Sequence, residues 1–225
     1  MYVERASSIE SAVVWSVGGE PAGGRVLPDG CMDLLWLDDE LVIAGPDTRA
    51  YVSRSSARRS VVGIRLAAGV LPRALSVPAD ELRDRRARLA EVWGVREARR
   101  LRAQMAAAPD VAAELERIVG ARLEESAPDP VMAYVDALAR RGMPVPAVAR
   151  AISLSERQLR RRTHAAFGYG VKMLARIHRF QTAIALARDG VPVADAAVRS
   201  GYADQPHLAR EVRTLAGAPL SALLT

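Results

Sequence analysis

A single cysteine, Cys31, in 225 residues leaves no partner for a disulfide framework and no thiolate metal cluster. No stretch approaches the ~18 consecutive apolar residues of a membrane span, and the N-terminus lacks the charged-then-apolar order of a secretory leader. A soluble, cytoplasmic protein without membrane attachment is expected. No glycine-rich phosphate loop ends in lysine, and there is neither a nucleophile elbow nor a pair of histidines at metal spacing. The histidines are His164, His178 and His207, and no carboxylate spacing turns them into a metal site. No metal, cofactor or enzymatic reaction is therefore expected. Lysine is nearly missing as well: Lys172 is the only one, so basic character rests on arginine.

The charge is divided unevenly. Residues 131–225 hold 14 Lys+Arg against 6 Asp+Glu, whereas residues 1–130 hold 18 against 20. The net positive charge of the chain thus lies in its C-terminal part, where a polyanion is the expected partner. The arginine-rich tract from Arg83 to Arg102 has acids interspersed and reads as solvated helix surface.

Residues 1–67 show short apolar runs broken by Gly, Pro and Asp, with strands expected at 11–17, 31–37, 41–44 and 60–66. Asp38-Asp39-Glu40 reads as a hairpin turn, and 18–24 and 45–48 as loops. Four to six strands suggest a small barrel or sandwich. From about Leu71 the periodicity becomes helical, with Val95–Ala107 and 110–123 apolar at three- and four-residue steps. Leu101, Met105, Val111, Leu115, Ile118 and Val119 are core or partner-facing positions. Prolines on both sides of Asp129 mark a boundary. The expected fold class is α+β: a β-rich domain over 1–94, a helical linker region over 95–127 and an all-α domain over 128–225.

That last domain contains one helical unit twice. Ala149 matches Ala197 and Leu154 matches Tyr202 at an offset of 48. Beyond the turn the offset is 49, pairing Ser155 with Asp204, Leu159 with Leu208, Arg161 with Arg210 and Gly168 with Gly217. One inserted residue in the second turn explains the change. In the first unit Ser155 and Gln158 have the spacing of a capping box, which fixes the helix start. Arg157, Arg160 and Arg161 then share one face, and Leu159 and Phe167 point inward. In the second unit Asp204 caps a helix whose second position is Pro206, so the first amide within its reach is that of His207. Gln205, His207 and Arg210 face outward. An isolated Arg-rich helix is usually a solvated face, but as the second helix of a tight pair its N-terminal half suits the major groove. Val171–Arg188 reads as one connecting helix about 27 Å long at ~1.5 Å per residue, and Lys172, Arg176 and Arg179 on it fit phosphate contacts and a solvated face equally well.

Two such units on a long helix, with GYADQPHLAREVRTLAG in the second and SERQLRR followed by Phe167-Gly168 in the first, resemble the AraC/XylS family of bacterial transcription regulators. The resemblance covers roughly 131–225. Thr163 stands where that family usually has Phe, and Val171 where Pro is usual. The resemblance implies a sequence-specific regulator, more usually an activator, that binds double-stranded DNA and works with RNA polymerase. It places the base-reading role on Arg157, Arg160, Arg161, Gln205, His207 and Arg210, and Ser155, Gln158, Lys172, Arg176 and Arg179 complete the expected DNA-contacting set. It also admits a homodimer and a small-molecule effector.

The segment LPDGCMDLLWLDDELVIAGPDT resembles an uncharacterised domain found ahead of some of these regulators and names no ligand. Trp15, Trp36 and Trp93 could line an apolar pocket but read more simply as core. Cys31 reads as a small buried apolar residue, and Asp29 before Gly30 as a turn residue. Two other functions compete. One is a small-molecule sensing or sequestering protein whose helical tail mediates protein contacts. The other is a DNA-repair methyltransferase, which needs an activated cysteine that the surroundings of Cys31 do not supply.

Overall fold

The computed structural model describes residues 2–18, 24–52 and 61–224. Ser60 of the last expected strand and residues 19–23 of the first expected loop lie outside the described residues. Among the described residues eight strands precede most of the helices: β1 Tyr2–Ala6, β2 Ala12–Val17, β3 Arg25–Val26, β4 Met32–Leu37, β5 Glu40–Ala44, β6 Tyr51–Val52, β7 Val61–Leu66 and β8 Arg86–Arg88. Six form one antiparallel sheet in the order β1-β2-β7-β4-β5-β8, and β3 pairs with β6 apart from it. The class is α+β, with an open sheet in place of a closed barrel. The hairpin between β4 and β5 turns at Asp38 and Asp39, both at positive φ (50° and 60°). That two-residue geometry matches strand twist and suits aspartate.

One face of the sheet is covered by helices α1 Leu71–Leu75, α2 Leu89–Trp93, α3 Val95–Ala107 and α4 Val111–Glu124. Alternation selects Met32, Leu34 and Trp36 of β4, Leu41 and Ile43 of β5, and Ile64 and Leu66 of β7 for this core. Leu101, Met105, Leu115, Ile118 and Val119 are buried in the same cluster. The helices expected to link two domains therefore pack on the sheet and complete its core. On the opposite face Gly63 has no room for a side chain, since a Cβ there would lie 2.6 Å from the Trp15 ring.

A strap across α4 holds the N-terminal strand. Glu116 accepts hydrogen bonds from Arg5 at 2.8 and 3.2 Å, from the Ser7 hydroxyl at 2.7 Å and from the Ser8 N–H at 2.7 Å. The Arg5 guanidinium, above all, pulls the Glu116 carboxyl down to about 2. A folded pKa below the unfolded value of about 4.3 means stability that is complete above that pH and lost as the pH falls toward 2. Relative to Glu116→Gln, the natural chain is expected to be about 1–2 kcal/mol more stable at neutral pH. Denaturant titrations between pH 7 and 2 should show that advantage vanish at the acid end; a constant difference would contradict the assignment.

The C-terminal part is all helix: α5 Pro130–Arg140, α6 Val145–Ala151, α7 Glu156–Phe167, α8 Val171–Arg188, α9 Val193–Arg199 and α10 Gln205–Ala216. It has two cores on one spine. Val171, Leu174 and Ile177 of α8 join Met132, Val135, Leu138, Val148, Leu159 and Phe167 in the first. Phe180, Ala183 and Ile184, one to two turns on, join Ala197, Tyr202, Leu208, Val212 and Leu215 in the second. Because α8 is a single uninterrupted helix, the two units hold a fixed separation.

Candidate nucleic-acid interface

The duplicated sequence is a duplicated structure. α6 and α9 start 48 residues apart, and α7 and α10 start 49 apart and have 12 residues each. Each tight turn passes through the left-handed region at equivalent positions, Ser153 (φ 54°) and Gly201 (φ 81°). Glycine adopts that conformation freely; Ser153 does so at a cost of about 1 kcal/mol. The residue inserted in the second turn is Ala203, between Tyr202 and the cap.

Ser155 and Gln158 form the reciprocal capping box. The Gln158 N–H donates to Ser155 Oγ at 3.2 Å, and Gln158 Oε1 accepts from the Ser155 N–H at 2.9 Å. Asp204 Oδ1 accepts from the His207 N–H at 2.6 Å, as the missing N–H of Pro206 requires. These caps set the rotation of each helix. In α7 Leu159, Thr163 and Phe167 point inward, leaving Arg157, Arg160 and Arg161 exposed. In α10 Leu208, Val212 and Leu215 point inward, leaving Gln205 and Arg210 exposed. Among the described residues no carboxylate lies within ion-pair distance of these four arginines. The two departures from the family pattern fill their places well. The buried Thr163 hydroxyl donates to the Arg160 carbonyl at 3.0 Å, and Val171 is enclosed in the first core.

Other expected contact residues are partly committed within the protein. His207 is half-buried, edge-on to the Tyr202 ring at 5.2 Å, and its Nδ1 accepts from the Ala203 N–H at 3.4 Å. That acceptor role leaves Nε2–H as the donor of the neutral ring. Ser155 and Gln158 serve the cap first, although the Gln158 amide nitrogen is not used there. On α8 the three cations separate. Lys172 is exposed. Arg176 makes two bonds to Glu211 of α10, at 2.8 and 3.0 Å. Arg179 lies 4.5 Å over the Tyr202 ring and donates to the Gly201 carbonyl at 3.4 Å. Arg176 and Arg179 thus fasten the second unit to the spine. Glu211 went unnoticed in the sequence because its partner lies 35 residues away on another element.

Between α7 and the start of α8 is a notch of about 390 Å³, lined by Arg157, Arg160, His164, Gly170 and Lys172 among others. Gly170 supplies no side-chain cap to α8, so the positive end of that helix faces the same basic surface.

Residues 148–225 match the family model of a helix-turn-helix domain, and residues 2–88 that of a domain of unknown function, DUF6597. The C-terminal part is an AraC-type helix-turn-helix domain. A helix-turn-helix domain is a DNA-binding unit, and here it occupies residues 148–225. No curated protein matches the sequence. Among solved structures, this chain is similar to an apo ToxT variant from Vibrio cholerae, at 12% identity and a TM-score of 0.49, over 97% of this chain and 98% of that one. ToxT from the same organism bound to (E)-4-(8-methylnaphthalen-1-yl)but-3-enoic acid aligns at 10% identity and a TM-score of 0.49, over 100% and 99%. Wild-type ToxT bound to an unsaturated fatty acid aligns at 12% identity and a TM-score of 0.47, over 99% and 94%.

The N-terminal residues singled out in the sequence have structural roles. Trp36 is core, and Trp93 donates to the Leu75 carbonyl at 3.2 Å beneath the Arg122 guanidinium. Trp15 donates to Asp33 at 2.6 Å, where burial pushes the Asp33 carboxyl up to about 6. Asp29 accepts from the Cys31 N–H at 2.9 Å, the turn expected before Gly30. Burial, and then Asp29, push the Cys31 thiol up, the reverse of what a methyl-accepting thiolate needs. Among the described residues no group of three or more His, Cys, Asp or Glu could hold a metal, and no helix is long and apolar enough to cross a membrane.

Proposed function

We propose that α7 and α10 enter two successive major-groove segments of one DNA duplex. Arg157, Arg160 and Arg161 read or clamp the first segment, and Gln205, His207 and Arg210 the second. One observation carries this reading: two duplicated helices present unpaired arginines at matching positions while their opposite faces are sealed into two cores on one spine. Arginine suits guanine and glutamine suits adenine through paired hydrogen bonds to base edges. The basic notch with Lys172 suits a backbone phosphate beside the first segment. Because α8, about 27 Å long at ~1.5 Å per residue, is shorter than the ~34 Å between successive grooves, the bound DNA bends toward the protein.

An effector or partner acts through the N-terminal domain. A cleft of about 580 Å³ lies between α1, α4 and α5, lined by Ile9, Val70, Leu123 and Met132, with Arg73 beside them. A molecule seated there touches both halves of the chain and can change how they sit on DNA. DNA occupancy then recruits or excludes RNA polymerase.

Gel shifts against a salt series test the reading. If about six phosphates are neutralised, affinity should fall roughly a thousandfold between 50 and 200 mM salt, because bound counterions are released. A flat salt response would count against DNA as the partner.

A further inference from the structure

The N-terminal domain grips both recognition helices, and does so within one residue of the same point of each repeat. The carbonyl of Gly168, which caps α7, accepts from Arg83 Nη1 at 3.0 Å. The carbonyl of Ala216, the last residue of α10, accepts from Arg25 Nη1 at 2.6 Å. Each arginine therefore satisfies one of the orphan carbonyls that every helix leaves at its C-terminal end, where the helix dipole also favours a cation. Arg83 belongs to the tract read from sequence as merely solvated.

One short loop, residues 45–50, joins the two grips. At one end Pro46 abuts α7, for a Cβ on Gly168 would fall 2.6 Å from Pro46 Cγ. At the other end the Ala50 N–H donates to the Leu215 carbonyl of α10 at 2.6 Å. The loop between them is stiff. Asp47 makes two bonds to Arg86, at 2.7 and 3.0 Å, and Thr48 is tied to Asp84 through its N–H at 2.7 Å and its hydroxyl. The Gly45 N–H donates to the Arg85 carbonyl, and the Asp84 N–H to the Pro46 carbonyl. Gly45 itself admits no side chain, since a Cβ would lie 1.6 Å from the Leu82 carbonyl oxygen. Leu27, next to β3, also packs against the core of the second unit.

We propose that the loop 45–50, with Arg25 and Arg83, is a rigid strut that sets the splay of the two recognition helices about α8 and hence the half-site spacing the protein accepts. Four extended residues cover at most about 14 Å. The strut therefore keeps the C-terminal ends of α7 and α10 well inside the ~34 Å between successive grooves of straight DNA. The spine fixes the two units along α8, and the strut fixes the splay that α8 alone leaves adjustable. Arg25 and Arg83 are positioning residues that act without touching DNA. The inference rests on the reading that both helices engage one duplex.

The test uses the full chain and a duplex that the natural protein selects from a random library, with the spacer between its two blocks varied in single base-pair steps. The natural chain should prefer one spacing. The double substitution Arg25→Ala and Arg83→Ala should lose at least about tenfold of that discrimination, as a loosened linkage tolerates more geometries. A second variant, with two glycines inserted between Arg49 and Ala50, leaves both helical cores untouched and should move or flatten the preference. An unchanged spacing profile in both variants would overturn the proposal, as would equal weakening at every spacing. Failure of the natural chain to select paired blocks would instead remove the reading beneath it, and the strut with it.

Discussion

Phe180→Ala is expected to lower stability by about 3–5 kcal/mol, the range for truncating a fully enclosed aromatic ring. Phe180 has no exposed surface and lies where α8 passes from the first core to the second. It shares that core with Tyr202 of the turn and with Leu208 and Val212 of α10, an element anchored elsewhere by its cap and an ion pair, so they cannot collapse into the space left by the ring. Urea denaturation read by circular dichroism would show the loss as a lower midpoint. DNA affinity should fall with it, because α10 would no longer have a fixed place on the spine. A change below about 1 kcal/mol would show that the second unit is not held by this packing.

Arg161→Ala and Arg210→Ala are each expected to weaken binding to a selected duplex by about 1–3 kcal/mol, or roughly 5- to 150-fold. The two stand at matching positions of the repeat, both exposed and both without a carboxylate partner among the described residues. Truncating either removes a donor from DNA and leaves nothing unpaired in the protein, so stability should stay within about 0.5 kcal/mol of the natural chain. Arg176→Ala should behave in the opposite way. It strands Glu211, whose carboxyl Arg176 holds below the usual range, and should lower stability while changing DNA selectivity little. Competition with random duplexes separates base reading from phosphate contact. Equal loss on both kinds of DNA would assign Arg161 and Arg210 to the backbone.

What the sequence revealed depended on how local the chemistry was. Both caps were legible because each joins residues three positions apart, and the repeat with its inserted residue because like residues recur at a constant offset on either side of it. The bounds of the long helix, Val171–Arg188, follow from its apolar spacing and agree with the structure. The Asp38-Asp39 turn was legible because few residues tolerate positive φ. Strands β1 and β8 were not. β1 is exposed at every residue, and β8 is three residues holding two arginines, so neither shows an alternating apolar pattern. The partners of Arg176 and Arg179 within the protein were hidden for a related reason. Exposure on a helix wheel cannot show that α10 and the turn before it lie across the way to receive them. The same blindness hid Arg25 and Arg83, whose partners are backbone carbonyls and carry no side-chain signature.

Two helices reading one duplex is the central feature of the proposed binding mode, and selection of bound sequences from a random duplex library by the full chain measures this most directly. The expected result is two enriched blocks whose centres lie about 10–10.5 base pairs apart, one helical turn. Arg161→Ala should erode one block and Arg210→Ala the other. Enrichment of a single block that both substitutions weaken alike would contradict the account, as would no enrichment at all.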